Sequence, residues 1–156
     1  LARPEQVGAP WKEHLLTEPE PAFVLAQEEG RRLTFTQRDM REFQLAKAAI
    51  NTGIRILLDE VGIGLEDVDE VLLAGSFGYH INTASAERIG LLPHLPHARV
   101  RVVGNAAHQG AAQVLLSRDY LEEVRQIGAA TESIELANSP RFQQTLVDAL
   151  LFPILV

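Results

Sequence analysis

The sequence predicts an α/β fold with a mixed sheet flanked by helices. Val71-Leu72-Leu73-Ala74 is a continuous apolar run, the pattern of a strand buried on both faces of a parallel sheet. It leads straight into Gly75-Ser76-Phe77-Gly78. Glycine after such a strand permits positive φ and close approach of the backbone to another group. Strand-like and helix-like segments then alternate along the chain. In open α/β sheets ligands bind at the carboxyl ends of strands. Gly75 to Gly78 is therefore the place to look for a nucleotide, and a tight turn without a ligand is the alternative.

Composition narrows the function classes. The chain has 156 residues, 46% of them hydrophobic, and a formal net charge of -7. That size suits one domain or a large part of one, and the acidic balance argues against nucleic-acid or anionic-membrane binding. There is no cysteine, which excludes disulfides and a thiolate-held iron–sulfur cluster within this chain. No apolar run approaches the roughly 20 residues of a membrane span, and no secretory signal is visible. A chain that begins at Leu1 is expected to be a piece of a longer protein.

Residues 1–22 contain Pro4, Pro10, Pro19 and Pro21 and are expected to form a linker or irregular lead-in, with Trp11 as a packing anchor. Phe23–Gln27 and Arg32–Thr36 read as short strands joined by the turn Glu28-Glu29-Gly30-Arg31, a hairpin. Thr36, with Asp39 three residues on, begins a helix of about 37–61 that Gly62 stops. Phe43, Ala46, Ile50, Ile54, Leu57 and Val61 form one apolar face of that helix. Leu45, Ala49 and Ile56 form a second, so the helix is expected to be mostly buried. Gln44, Lys47, Asn51 and Arg55 make a narrow polar stripe. Lys47 and Lys12 are the lysines of the chain. A cation in such a place either snorkels to water or faces a ligand.

Beyond the glycine strand, Tyr79–Asn82 reads as a loop. A short helix of about 83–89 ends at Gly90, with Pro93 beyond it. His94 and His97 flank Pro96 without a third metal ligand in sight. Arg99–Val103 is a strand, and Asn105 caps a helix rich in small residues. Residues 119–128 continue helical, Ile134–Ala137 is a short strand, and Ser139-Pro140 starts the last helix. Phe142, Leu146, Ala149 and Leu150 give that helix an apolar side. The tail Phe152-Pro153-Ile154-Leu155-Val156 is too apolar to stay in water.

Several stretches together resemble one family. They are Leu33 to Ile50 at the helix start, Leu73-Ala74-Gly75-Ser76-Phe77-Gly78, and Glu87-Arg88-Ile89-Gly90-Leu91-Leu92-Pro93. Gly104-Asn105-Ala106-Ala107 with Gly110 is another, as is Ile134-Glu135-Leu136-Ala137 with Asp148-Ala149-Leu150-Leu151-Phe152-Pro153. They look like the C-terminal portion of the reductive activators of corrinoid proteins. These belong to the acetate and sugar kinase, Hsp70 and actin superfamily (ASKHA). The resemblance covers about residues 23–153. It implies the C-terminal lobe of an actin-like, ribonuclease-H-like ATPase fold, with residues 23–156 as part of an ATP-binding domain.

It also implies Mg-ATP as cofactor and a [2Fe–2S] cluster in a domain outside this chain. The partner would be the corrinoid protein of a methyltransferase system, in a cytoplasmic setting and with no nucleic acid or membrane. A homodimer is compatible with it. By the same resemblance Gly75, Ser76, Phe77 and Gly78 occupy the adenosine motif. Gln44 and Lys47 face the adenine and ribose, and Gly104 and Asn105 lie in the second connecting motif. No catalytic residue is implied. The family's Asp-x-Gly-Thr phosphate loops are missing, and His108-Gln109 stands where glycine or threonine is usual. The chain is thus expected to supply the adenosine side of a site. The C-terminal lobe of a small-molecule kinase and a non-enzymatic docking module are the alternatives.

Overall fold

The computed structural model describes residues 8–153. It divides into two compact units between Ala46 and Lys47.

The first unit is built on an antiparallel sheet of order β1-β2-β3: β1 (Leu15–Leu16), β2 (Ala22–Glu28) and β3 (Arg31–Thr36). The hairpin expected from the Glu29-Gly30 turn is present, and each strand extends slightly beyond its expected ends. Residues 1–7 of the expected irregular lead-in lie outside the described residues, and the rest of it carries regular structure. A 3-10 helix spans Trp11–His14, and Leu15 and Leu16 pair with Phe23 and Ala22. The reason is aromatic. His14 stacks on Phe23 at 5.5 Å between ring centroids, and Trp11 tilts against both rings. That contact holds the proline-rich stretch to the sheet.

Helix α1 (Gln37–Val61) begins as the capping residues predict. The Thr36 amide donates to Asp39 Oδ2 at 2.8 Å, and the Asp39 amide donates back to Thr36 Oγ1 at 3.1 Å. Two otherwise orphaned donors are thereby satisfied. The Thr36 amide and hydroxyl, both donating to Asp39 Oδ2, hold the Asp39 carboxyl below the usual carboxylate range.

The second unit contains β4 (Glu70–Ala74), α2 (Gly75–His80), α3 (Thr83–Arg88), β5 (Arg99–Gly104), α4 (Ala106–Leu116), α5 (Arg118–Ala130) and α6 (Phe142–Leu150). Strands β4 and β5 are parallel neighbours, with Val71 opposite Val100 and Leu73 opposite Val102. Asn82 and Asn105 cap α3 and α4 by accepting from the Ser85 and His108 amides. The core is Ala86, Leu91 and Leu92, packed with Ile54 of α1 and with Ile81 and Ile89.

Four expectations are overturned here. Gly75 to His80 is a helix rather than a turn followed by a loop. Ile134–Ala137 is not a strand: a 3-10 helix occupies Leu136–Asn138, and no strand of the described residues lies beside it. The β4 run is not buried on both faces, because Leu72 is 52% exposed; among the described residues its sheet has two strands. Helix α1 is buried only in part along its apolar faces, through Ile56 and the half-buried Ile54. Lys47, Asn51 and Thr52 are buried, whereas Ile50, Leu57 and Val61 are exposed. Apolar residues also stand exposed on α4 and α5, with Leu115 and Leu116 each 86% exposed.

Replacing Thr36 by Ala should cost about 1 kcal/mol of stability, the usual loss for a side-chain cap. Urea unfolding monitored by circular dichroism measures this directly. An unchanged midpoint would mean that the cap contributes nothing.

Candidate functional site

The predicted site residues fall into separate groups. The first forms at the carboxyl ends of β4 and β5. Ala74 is paired with Gly104 after a one-residue shift of register at Val103, so Gly75 and Gly104 leave neighbouring parallel strands side by side. Both have left-handed backbones, with φ of 83° at Gly75 and 68° at Gly104. A residue with a Cβ would be strained there. A Cβ built on either glycine meets no atom within 4 Å. The space beside both glycines is open.

Ser76 and Phe77 follow within α2, and Ser76 is exposed. Gly78 is buried and serves packing, since a Cβ there would lie 3.1 Å from the Leu73 Cβ and 3.2 Å from its carbonyl carbon. Asn105 spends its side chain on capping α4.

The second group forms around Lys47. Its side chain is 1% exposed. The ammonium donates to the carbonyl oxygens of Ala149 at 2.7 Å and Leu151 at 2.5 Å. It also lies 4.8 Å from the centre of the Phe152 ring. These carbonyls end α6, where a helix has unpaired acceptors and partial negative charge. Among the described residues no carboxylate is bonded to the ammonium. Burial pushes the Lys47 pKa below the ordinary 10.5, while the carbonyls and the ring favour the charged form.

Asn51, one turn on, donates to the Gly90 carbonyl at 3.0 Å and accepts from Arg55 Nε at 2.7 Å. Pro153 closes on Gly90, where a Cβ would come within 3.0 Å of the proline ring. A cavity of about 480 Å³ adjoins this group, lined by Lys47, Asn51 and Arg55 of α1 and by Thr145 and Asp148 of α6, among others.

Lys47 and the glycine turns thus do not line a common cavity. Gln44 is half-exposed on the part of α1 that belongs to the first unit. The stripe of Lys47, Asn51 and Arg55 was visible in the sequence, but its partners were not. Lys47 and Asn51 bond backbone carbonyls of residues 149, 151 and 90, far along the chain, and a carbonyl leaves no trace in residue identity. The apolar tail at Phe152 and Pro153 was the available signal. Of the histidines, His94 pairs with Glu87 on the surface.

Replacing Lys47 by Met removes the charged donor from the Ala149 and Leu151 carbonyls and should cost roughly 1.5–3 kcal/mol. The pH dependence has a definite sign. A lysine pKa lowered by folding means that the folded chain releases the proton first. Stability then rises as the pH climbs from the folded pKa towards 10.5 and is lost as it falls back. Unfolding free energies measured between pH 8 and pH 10.5 should show that slope in the native chain and not in Lys47→Met. Equal slopes would assign the effect to other groups.

Comparison with known proteins agrees with this architecture. Residues 8–155 match the family described as the C-terminal domain of RACo, the ASKHA domain. The corrinoid activation enzyme RamQ of Eubacterium limosum is 41% identical over 124 residues, which is 80% of this chain and 21% of that protein. The [Co(II) methylated amine-specific corrinoid protein] reductase of Methanosarcina barkeri is 26% identical over 115 residues, 72% of this chain and 21% of its own length. The chain therefore spans about a fifth of the length of these curated relatives. A solved structure, a reductive activator for corrinoid, iron-sulfur protein, superposes with a TM-score of 0.77 at 34% identity, covering 91% of this chain and 23% of the other. The chain belongs to the family of the RACo C-terminal domain, the ASKHA domain.

Proposed function

We propose that this chain is the C-terminal part of an ATP-dependent reductive activator. The whole protein would pass one electron from a reduced [2Fe–2S] cluster to the Co(II) corrinoid of a partner protein in a methyltransferase system, giving Co(I). ATP, as its magnesium complex, would supply the driving force. The cluster belongs to another part of the protein, since this chain has no cysteine to hold it. The setting we propose is cytoplasmic; no helix of the described residues is long and apolar enough to cross a membrane.

One observation carries the nucleotide reading. Gly75 and Gly104 stand beside each other at the carboxyl ends of parallel strands, with open space over both. That is where an α/β sheet presents a ligand, and glycine lets the backbone approach a base or sugar closely. In this reading Gly75, Ser76, Phe77, Gly104 and Asn105 border the adenosine end. Lys47 supports the region by holding α6 and does not contact the nucleotide, because its ammonium is committed to backbone carbonyls. Phosphate-binding groups would come from elsewhere in the longer protein.

Gly75→Ala in the longer activator should weaken ATP binding at least tenfold while lowering stability by about 1–2 kcal/mol through backbone strain. Equilibrium titration with ATP beside a melting curve separates the effects. Undiminished affinity in a folded variant would show that the glycine serves only the turn. Positioned phosphate groups and magnesium are needed for phosphoryl transfer, so this chain alone should hydrolyse ATP at the rate of a protein-free blank.

A further inference from the structure

Helices α4 and α5 take little part in the burial of the second unit. Neither has a buried residue, and among the described residues α5 packs chiefly on α4. Yet α5 is two-sided. Tyr120, Val124 and Ile127 recur at steps of four and three, the spacing of one helix face. Arg118, Asp119, Glu122 and Arg125 fall on the other side. The three apolar residues are 45%, 47% and 59% exposed. Leu115 and Leu116, at the end of α4, lead into α5 and are more exposed still. A contiguous apolar surface of this kind marks an interaction site.

We propose that this stripe of α5 is the seat of an apolar face from the remaining part of the longer polypeptide. The inference rests on reading the chain as the C-terminal part of an activator. Three observations choose this occupant. The first is length. The match to the solved activator covers 91% of this chain but 23% of the other, so most of that protein lies outside the shared fold. The second is chemistry. Aliphatic residues and one tyrosine, with the charges turned away, make the surface of a permanent contact. A partner that comes and goes meets a more polar surface, so the corrinoid protein docks elsewhere. The third is charge. Asp119, Glu122 and Glu123 outnumber Arg118 and Arg125 on α5, in a chain of formal net charge -7. That balance suits neither an anionic lipid surface nor a second copy of the same acidic chain.

Thiol labelling of the longer activator tests the seat. Val124→Cys and Ile127→Cys report from the stripe, and Glu122→Cys reports from the other side of the same helix. Peptide mass spectrometry reads each site apart from any other thiol of the protein, and circular dichroism identifies the variants that fold. Two stripe reporters keep the test decisive if one variant does not. In the native protein, residues 124 and 127 should label at least about tenfold more slowly than residue 122. The difference should hold at every protein concentration and vanish in urea. Equal rates on both sides of the folded helix would overturn the proposal. So would protection that fades on dilution, the sign of a second copy, or protection that requires anionic vesicles. The readout uses neither ATP nor a corrinoid protein. Its failure therefore leaves the activator reading standing, and a failure to reduce corrinoid leaves the seat standing.

Discussion

The second unit depends on one buried cation. An ammonium removed from water is costly unless its charge is met, and here no acid among the described residues meets it. Two carbonyls at the end of α6 and the face of Phe152 do. Such an arrangement fixes geometry, because three separated stretches must arrive together. Lys47 and Asn51 come from α1. Gly90 comes from the bend after α3, and 149–153 come from the end of α6. These are stretches by which the chain resembles the corrinoid activators. Their convergence gives a physical reason for the residue types: a long cation, a side-chain amide beside it, and a glycine where proline closes in.

The remaining glycine stretches serve a different purpose. Gly75 and Gly104 end neighbouring strands with left-handed backbones and nothing above them. Gly78, three residues on, is pressed against Leu73. One short motif thus combines an open glycine with a packing glycine. The first suits a ligand surface, and the second seats α2 on the strand that carries it. In the proposed reading, the separation of the Lys47 cluster from this pair divides the labour between holding the fold and presenting a nucleotide surface.

Local chemistry was legible in the sequence, and distant partners were not. The hairpin, the Thr36–Asp39 cap, the α1 boundaries and the Asn105 cap follow from residues within a few positions of one another. Which residues of α1 turn inward did not follow from hydrophobicity alone. Ile50, Leu57 and Val61 belong to an apolar face yet stand exposed. The buried side is chosen by what packs on it, namely Gly90 and 149–153. The strand expected at Ile134–Ala137 failed for a similar reason, since β-branched and apolar residues make a strand only beside a partner strand. Leu72, Leu115 and Leu116 show the converse, apolar residues without cover in a chain about a fifth as long as its curated relatives.

The central claim is that the glycine pair, and not the Lys47 cluster, is the nucleotide surface. Amide chemical shifts of the isotopically labelled chain, followed while a non-hydrolysable ATP analogue is added to millimolar concentration, test it most directly. The account predicts shifts concentrated at 75–78 and 104–107, with 90 and 149–153 unmoved. Shifts concentrated at 47–55, 90 and 149–153, with the glycine turns silent, would contradict it and move the nucleotide to the cavity beneath α6.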